Sequence, residues 1–214
     1  NNNVAVGDEA IRNNTTGCSN VALGAHALIV NTEGNHNFAV GTETLKNNST
    51  GSSNVGIGTE ALRTNTTAGC NIAIGKNAMY SNSTGQYNAA IGHQTLYTSV
   101  TADENVAVGF RALCKSNAAG NNAVGASALR NTTAGCYNNA FGNAAMYNNT
   151  TGHSNDAFGT SALYSNTEGI GNVAAGFCAL KANTTGCYNT GSGYYAGCNN
   201  TDGCCNVFEG YAAG

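Results

Sequence analysis

The chain is built from one unit that recurs every 17 residues. Its fixed points are a glycine and an asparagine four residues before it, and the pair returns thirteen times over 214 residues. The glycines are Gly7, Gly24, Gly41, Gly58, Gly75, Gly92, Gly109, Gly125, Gly142, Gly159, Gly176, Gly193 and Gly210. Every interval is 17 residues except the step from Gly109 to Gly125, which is 16. Because so short a unit cannot bury an apolar face alone, the repeat predicts a stack of units.

Each unit is too short for a helix-turn-helix and suits one coil of backbone with two short strands and two turns. The segment N-V-A-V-G has β-branched residues on both sides of an alanine, which favours a strand with Val4 and Val6 on one face and Ala5 on the other. We expect the Val/Ile face to fill the coil with the leucine of the second strand. The alanine face would then pack against a neighbouring copy. The prediction is an all-β fold, a parallel β-solenoid (β-roll) of about 13 coils forming a single array over 1–214.

The asparagine and glycine columns are the expected framework of the stack. Representative pairs are Asn20 with Gly24, Asn54 with Gly58, and Asn138 with Gly142. The glycine is expected to hold a positive φ, or to meet another backbone too closely for a Cβ. The asparagines are expected to form a ladder, each amide bonding to the next coil. With coils about 4.8 Å apart, thirteen would make a rod on the order of 60 Å long.

Composition and residue placement argue against several classes of function. Charged residues are 9 % and the net charge is −3 without a basic cluster, so neither nucleic acid nor an anionic membrane is an expected partner. No apolar run is long enough to span a membrane. The histidines at 26, 36, 93 and 153 fall in four different columns, and the carboxylates are mostly solitary. We therefore expect a non-catalytic chain with no metal or cofactor.

Nine cysteines are many for so polar a chain. Cys18, Cys136, Cys187 and Cys204 share the position after the N-T-T-G turn, and Cys70 and Cys205 lie one place further on. Since Cys187 and Cys204 are one coil apart, we predict a disulfide between them and an oxidising, extracellular setting. Cys18 and Cys136 have no neighbour in their column and are candidates for bonds between chains. The alternative is that all nine are reduced and fill turn corners.

The N-T-T-G turn also creates a column of N-glycosylation sequons. They begin at Asn14, Asn48, Asn65, Asn82, Asn149 and Asn183. In a host that glycosylates secreted proteins they would place a row of glycans along one edge. The alternative is that N-T-T-G is simply favourable turn chemistry.

A stripe of long side chains stands five residues after the column glycine. It consists of Arg12, Lys46, Arg63, Tyr80, Tyr97, Arg130, Tyr147, Tyr164 and Lys181. Glu9, Glu43 and Glu60 lie three residues before Arg12, Lys46 and Arg63 and are placed to pair with them. The stripe is either a contact surface for a receptor glycan or protein, or a solvated face whose ion pairs contribute little.

The two ends differ from the rest of the array. Neither carries a polar capping unit, so we expect an excerpt of a longer fibre or ends covered by neighbouring molecules. Three and four residues after the column glycine most units have an Ala-Leu pair, as at Ala27-Leu28 and Ala61-Leu62. The last two units have Ala-Gly instead, at Ala196-Gly197 and Ala213-Gly214, next to Tyr194, Tyr195 and Tyr211. This drift predicts a change in coil shape toward a junction.

The unbroken repeat N-x-A-x-G-x-x-A-L-x-x-N-T-T-G resembles the shafts of viral and phage tail-fibre proteins and related bacterial surface proteins. More distantly, N-V-A-V-G and N-I-A-I-G are similar to the repeat in the heads of trimeric autotransporter adhesins, which are left-handed parallel β-rolls wound as homotrimers. The resemblance covers the whole chain. It implies a homotrimeric, extended rod on a cell or virion surface.

Three functions from different classes follow as hypotheses. The first is a structural rod, filament or fibre shaft whose partner is the chain itself, as a homotrimer or head-to-tail filament. The second is an adhesin that binds a host or cell-surface receptor through the Tyr/Arg stripe. The third is ice binding, because Thr15, Thr66, Thr150 and Thr184 recur at coil spacing, although in a turn and not on a flat strand.

Overall fold

The computed structural model describes residues 2–214 and divides the chain into two compact units, Asn1–Asn105 and Val106–Gly214. Each unit is a parallel β-solenoid with one strand per coil, and the described residues contain no helix. The predicted all-β solenoid with a 17-residue repeat is confirmed. The single array over 1–214 and the homotrimer stay predictions. Among residues 2–214 there is accordingly no helix of the length and hydropathy needed to cross a membrane.

The strands pair in chain order and in parallel within each unit. The first unit contains β1 (Val4–Val6), β2 (Val21–Leu23), β3 (Phe38–Val40), β4 (Val55–Ile57), β5 (Ile72–Ile74) and β6 (Ala89–Ile91). The second contains β7 (Val106–Val108), β8 (Asn122–Val124), β9 (Asn139–Phe141), β10 (Asp156–Phe158), β11 (Val173–Ala175), β12 (Thr190–Ser192) and β13 (Val207–Glu209). Because the register keeps equivalent residues side by side, each repeat position becomes a column.

Only one of the two predicted strands forms in each coil. The Ala-Leu pair lies in a series of tight turns instead, and in the coil 54–70 Glu60, Leu62 and Cys70 have φ of 59°, 52° and 59°. A left-handed residue other than glycine costs about 1–2 kcal/mol. Neighbouring coils offset this cost because backbone bonding continues through the turns, as where the Leu62 N–H donates to the Ala78 carbonyl at 3.0 Å.

The strand faces are oriented opposite to the prediction. The central alanines of the strands, such as Ala22 and Ala73, are fully buried, whereas the flanking Val6 and Ile72 are 62 % and 43 % exposed. The alanine face therefore packs inside the coil and not against another copy, and the Val/Ile face is on the outside. The reason is volume, because the buried leucines and asparagines leave room at the strand centre for little more than a methyl group.

Two exchanges of core volume show how narrow the interior is. Thr44 and Thr95 replace the usual alanine in two coils, and the strand centre of the coil after Thr44 is Gly56, whose added Cβ would lie 2.6 Å from Thr44 Cγ2. Near the end of the chain the ring of Phe208 lies against Gly197, at the position where other coils have leucine. At this end of the chain the ring of Phe208 thus fills the volume that a leucine side chain would occupy at position 197. The strand register is unchanged, because β12 and β13 still pair Gly191 with Phe208.

Both expectations for the column glycine are confirmed. Gly24 has φ of 140°, and a Cβ added to it would lie 2.6 Å from the carbonyl carbon of Gly41 in the next coil. Gly58 and Gly142 have φ of 124° and 147° and meet Gly75 and Gly159 in the same way. The coils therefore stack backbone on backbone at this corner, where no side chain fits.

Candidate functional surface

The predicted asparagine ladder is confirmed, and it binds backbone as well as side chains. We call it the strand-side ladder. In Asn54, the backbone N–H donates to Asn37 Oδ1 at 3.0 Å, and Nδ2 donates to the Ala68 carbonyl at 2.9 Å. Asn54 Oδ1 accepts the backbone N–H of Asn71 at 3.1 Å. The same pattern joins Asn20 to Asn37 in the first unit and Asn138 to Asn155 in the second.

A second ladder, which sequence reasoning missed, runs through the asparagine of the N-T-T-G turn. We call it the turn-side ladder. Nδ2 of Asn48 donates to Asn31 Oδ1 at 2.8 Å and to the Gly51 carbonyl of its own coil at 2.9 Å. Asn166 bonds to Asn149 and Gly169 in the same way. A coil that contains both asparagines is therefore hydrogen-bonded to its neighbouring coils along two inner edges.

The turn-side ladder consists largely of the residues proposed as glycan acceptors. Five of the six, Asn48, Asn65, Asn82, Asn149 and Asn183, are fully buried, and Asn14 is half-buried. The amide nitrogen that a glycan would occupy is the donor atom of the ladder. The predicted row of glycans on an outer edge is therefore wrong for this fold. The sequence held a signal for this, since the column keeps its asparagine where no sequon exists, at Asn31, Asn166 and Asn200.

The turn-side ladder is interrupted where Ser99, Ser116 and Thr132 replace asparagine. Asn82 Oδ1, Ser99 Oγ and Thr132 Oγ1 are buried and have no hydrogen-bond partner within residues 2–214. Buried polar atoms without partners cost stability. At Ser99 and at Thr132 the turn-side ladder therefore lacks the hydrogen bonds that asparagine makes in other coils.

Ser99→Asn is expected to raise the free energy of unfolding by about 1 kcal/mol. An asparagine here would donate to Asn82 Oδ1 and to the Ala102 carbonyl, as its equivalents do in other coils. Urea unfolding followed by circular dichroism measures the change. Ser81→Asn is the control, because its outward column already contains Asn13 and Asn47. Equal midpoints for the two variants would contradict the prediction.

In both units, side chains of the Tyr/Arg stripe from successive coils stack on one another. The Arg63 guanidinium lies 5.5 Å from the Tyr80 ring centroid and donates to its hydroxyl at 2.9 Å, and the Tyr80 and Tyr97 rings stack at 5.3 Å. In the second unit Arg130 donates to the Tyr147 hydroxyl, and Tyr147 stacks on Tyr164 at 5.2 Å. Tyr80 and Tyr147 thus each have an arginine on one side and a tyrosine on the other, which leaves these two rings little free face on which a sugar could stack. Receptor binding by this stripe stays a prediction.

The three predicted ion pairs are present within their coils, and a further pair joins two neighbouring coils. Glu43 accepts from Lys46 and from Arg63 of the next coil, each at 2.7 Å, and Arg63 also lies 3.7 Å from Glu60. Glu9 pairs with Arg12. The hydrogen bonds from Lys46 and then Arg63 lower the pKa of Glu43 from 4.5 to about 2. His26 lies within 4.0 Å of Glu9 and Glu43 because it occupies the same repeat column, one coil from each of them.

Acidification is expected to weaken the fold at Glu43. Because its folded pKa of about 2 is below the ordinary 4.5, the stabilisation is complete above pH 4.5 and is lost as pH falls toward 2. For a partly solvated, salt-screened cluster we expect about 1 kcal/mol. Urea midpoints of wild type and Glu43→Gln should differ near neutrality and converge near pH 2. The exposed Glu33→Gln is the control, and a difference that does not depend on pH would contradict the prediction.

Residues 2–214 contain no disulfide, so the predicted Cys187–Cys204 bond is absent from this structure. Cys204 Sγ lies 3.1 Å from the backbone nitrogen of Cys187, whereas Cys187 Sγ points to the Thr185 carbonyl at 3.3 Å. Cys204 Sγ thus accepts from the backbone of the neighbouring coil, whereas Cys187 Sγ donates within its own coil, and the two sulfurs are not bonded to each other. Cys18 and Cys136 are half-buried and Cys70 and Cys205 are exposed. Bonding between chains through Cys18 or Cys136 stays a prediction.

The threonines considered for ice binding form hydrogen bonds between neighbouring coils. Thr15, Thr66, Thr150 and Thr184 donate their hydroxyls to carbonyls of the next coil at 2.9, 3.1, 2.9 and 3.0 Å. The single donor of each hydroxyl is therefore used between coils. The threonine row is better described as a third inter-coil ladder.

The outermost apolar surface is formed by the residues that flank each strand centre. In the first unit this outer strand face consists of Val4, Val6, Val21, Leu23, Phe38, Val40, Val55, Ile57, Ile72, Ile74, Ala89 and Ile91. In the second unit one of its two columns becomes polar, and Asn122 donates to Asn139 and Asn139 to Asp156, both at 2.7 Å. The other column is apolar from Val108 to Ala175 and ends in Ser192 and Glu209, and within it Phe141 and Phe158 stack at 5.3 Å.

Within residues 2–214 there is no pocket and no group of three or more His, Cys, Asp or Glu side chains that could hold a metal ion. Comparisons with protein-family models, curated proteins and solved structures find no match to this chain.

Proposed function

We propose that this chain is a structural rod, the shaft of a fibre on a virion or cell surface, without a catalytic role. The observation that supports the proposal is that the same contacts join successive coils along the chain. The coil that contains Asn54 and Asn65 is connected to the preceding coil by a strand pair, by the strand-side ladder and by the turn-side ladder. Most other coils are connected in the same way.

Such joints suit a spacer because each coil bonds only to its immediate neighbours. The stability of a repeat array is then approximately the sum of its coils and their interfaces, and length is set by the number of repeats. The partner we propose is the chain itself, as a homotrimer or a head-to-tail filament. The sequence resemblance to fibre shafts supports the same function and an extracellular or virion-surface location.

The length of the particle tests the proposal. Duplicating the four coils 20–87 in frame is expected to lengthen it by about 19 Å at constant width, at about 4.8 Å per coil. Small-angle scattering or negative-stain electron microscopy would measure both dimensions. An insert of the same residues in scrambled order is the control and should not extend the particle by that amount. A duplicated chain of unchanged maximum dimension would overturn the rod.

The surface location needs a separate measurement. An antibody raised against the chain is expected to label intact virions or cells of the source without permeabilisation. Labelling that appears only after permeabilisation would overturn the surface location and leave the rod itself untouched.

A further inference from the structure

We propose that the outer strand face of the first unit is the surface through which two copies of the chain associate. The inference deepens the proposed function, because it assigns the self-association of the fibre to named residues, and its biological role rests on that function. It also replaces the alanine face, which is buried inside the coil.

The face is apolar throughout and considerably exposed. None of its twelve residues is charged or polar, and Val4, Val6, Phe38, Ile72 and Ile91 are 50 %, 62 %, 39 %, 43 % and 41 % exposed. Together with the half-buried members, side chains of this size leave on the order of 600 Å² of apolar surface in one patch. That is at the upper limit of what a soluble monomer exposes.

The borders of the face have the composition of an interface rim. The residue after each column glycine forms one border and includes the exposed Thr42, Thr59 and Lys76. The residue before each column asparagine forms the other and includes Ser19 and Ser53. With this polar rim, the buried area approaches the roughly 800 Å² per partner of a standard stable interface.

The regular spacing of the face favours a second copy over an unrelated partner. Its side chains stand in parallel rows because the register places Val55 beside Ile72 and Ile57 beside Ile74. Rows about 4.8 Å apart form ridges and grooves of one period. A second copy carries the same period, so its ridges fit these grooves along the whole patch. A lipid surface or an unrelated protein has no such repeat.

The second unit supplies the variant that tests the face without unfolding the coil. Val55→Asn with Ile72→Asn places two asparagines in the column where Asn122 and Asn139 already bond to each other at 2.7 Å. The matched control is Val30→Asn with Ser81→Asn, in an outward column on another side of the coil that contains Asn13 and Asn47.

Sedimentation velocity of the whole chain is the experiment. Wild type and control are expected to have at least twice the 21.6 kDa chain mass, and V55N/I72N is expected to dissociate at least 100-fold more readily, with an unchanged circular dichroism spectrum. Association that survives in V55N/I72N would overturn the proposed face. So would a wild-type chain that stays monomeric, including one that instead floats with neutral phospholipid vesicles. The particle-length measurement is independent of either result, so the rod and the face can fail separately.

Discussion

Gly75→Ala is expected to lower the free energy of unfolding of the first unit by more than about 3 kcal/mol, or to prevent its folding. The added Cβ would lie 2.6 Å from the carbonyl oxygen of Gly92 and 2.7 Å from its carbonyl carbon. These atoms belong to the backbone of the next coil and cannot move away without loss of the bond from the Gly92 N–H to the Ile74 carbonyl, which is 2.7 Å long. Urea unfolding followed by circular dichroism gives the change.

The same column provides a control that separates the close approach from the backbone conformation. Gly210 has φ of 109°, and a Cβ added to it would meet nothing within 4 Å. Gly210→Ala is therefore expected to cost only the conformational penalty, about 1–2 kcal/mol. If Gly75→Ala were no more destabilising than Gly210→Ala, backbone contact between coils would not be the reason that glycine occupies this column.

The repeat was sufficient to predict the parts of the fold that depend on register. Asn20 and Gly24 recur at a fixed spacing, so stacking in register follows whichever way the side chains point. A ladder of amides and a corner without Cβ atoms are consequences of register alone. These predictions were confirmed because they required no knowledge of the interior.

The inside and outside of the coil could not be predicted in the same way. Both faces of V-A-V are apolar, so alternation of polar and apolar residues does not distinguish them. What decides the orientation is the volume left inside the coil, as the pairing of Thr44 with Gly56 shows. That pair was present in the sequence, but its two residues belong to different repeats, and only the stacked register brings them into contact.

Local motifs were less reliable than columns for the candidate sites. Asn48 reads as a sequon with its two following residues, yet its column continues through Asn31, which has none, and the structure buries both. Cys187 and Cys204 are close enough for a disulfide by coil spacing, but spacing does not determine where each sulfur points. Both errors came from reading a residue with its sequence neighbours and not with its stacked neighbours.

Asn54→Ala is expected to lower the free energy of unfolding by about 2–4 kcal/mol. The Ala68 carbonyl would keep the bond from Asn65 Nδ2 at 3.0 Å, but the backbone N–H of Asn71 would lose its acceptor in a buried position. A cavity the size of an amide would add to the cost. Asn47→Ala, seven residues earlier on the outer surface, is the control and should change stability by less than about 0.5 kcal/mol. Similar losses for both variants would show that the strand-side ladder does not stabilise the stack.

Asn54→Asp separates the two ends of the amide, because it keeps an acceptor for Asn71 and removes the Nδ2 donor. The new carboxylate would be buried and would face Asn37 Oδ1, the acceptor that lies 3.1 Å from Nδ2 in wild type. Burial without a cation raises a carboxyl pKa, so the folded state binds the proton more tightly than the unfolded state. Asn54→Asp should therefore be less stable than Asn54→Ala near neutral pH and should recover, relative to wild type, as pH falls toward about 4. A loss that does not depend on pH would mean that this position is hydrated and that the ladder is open to water.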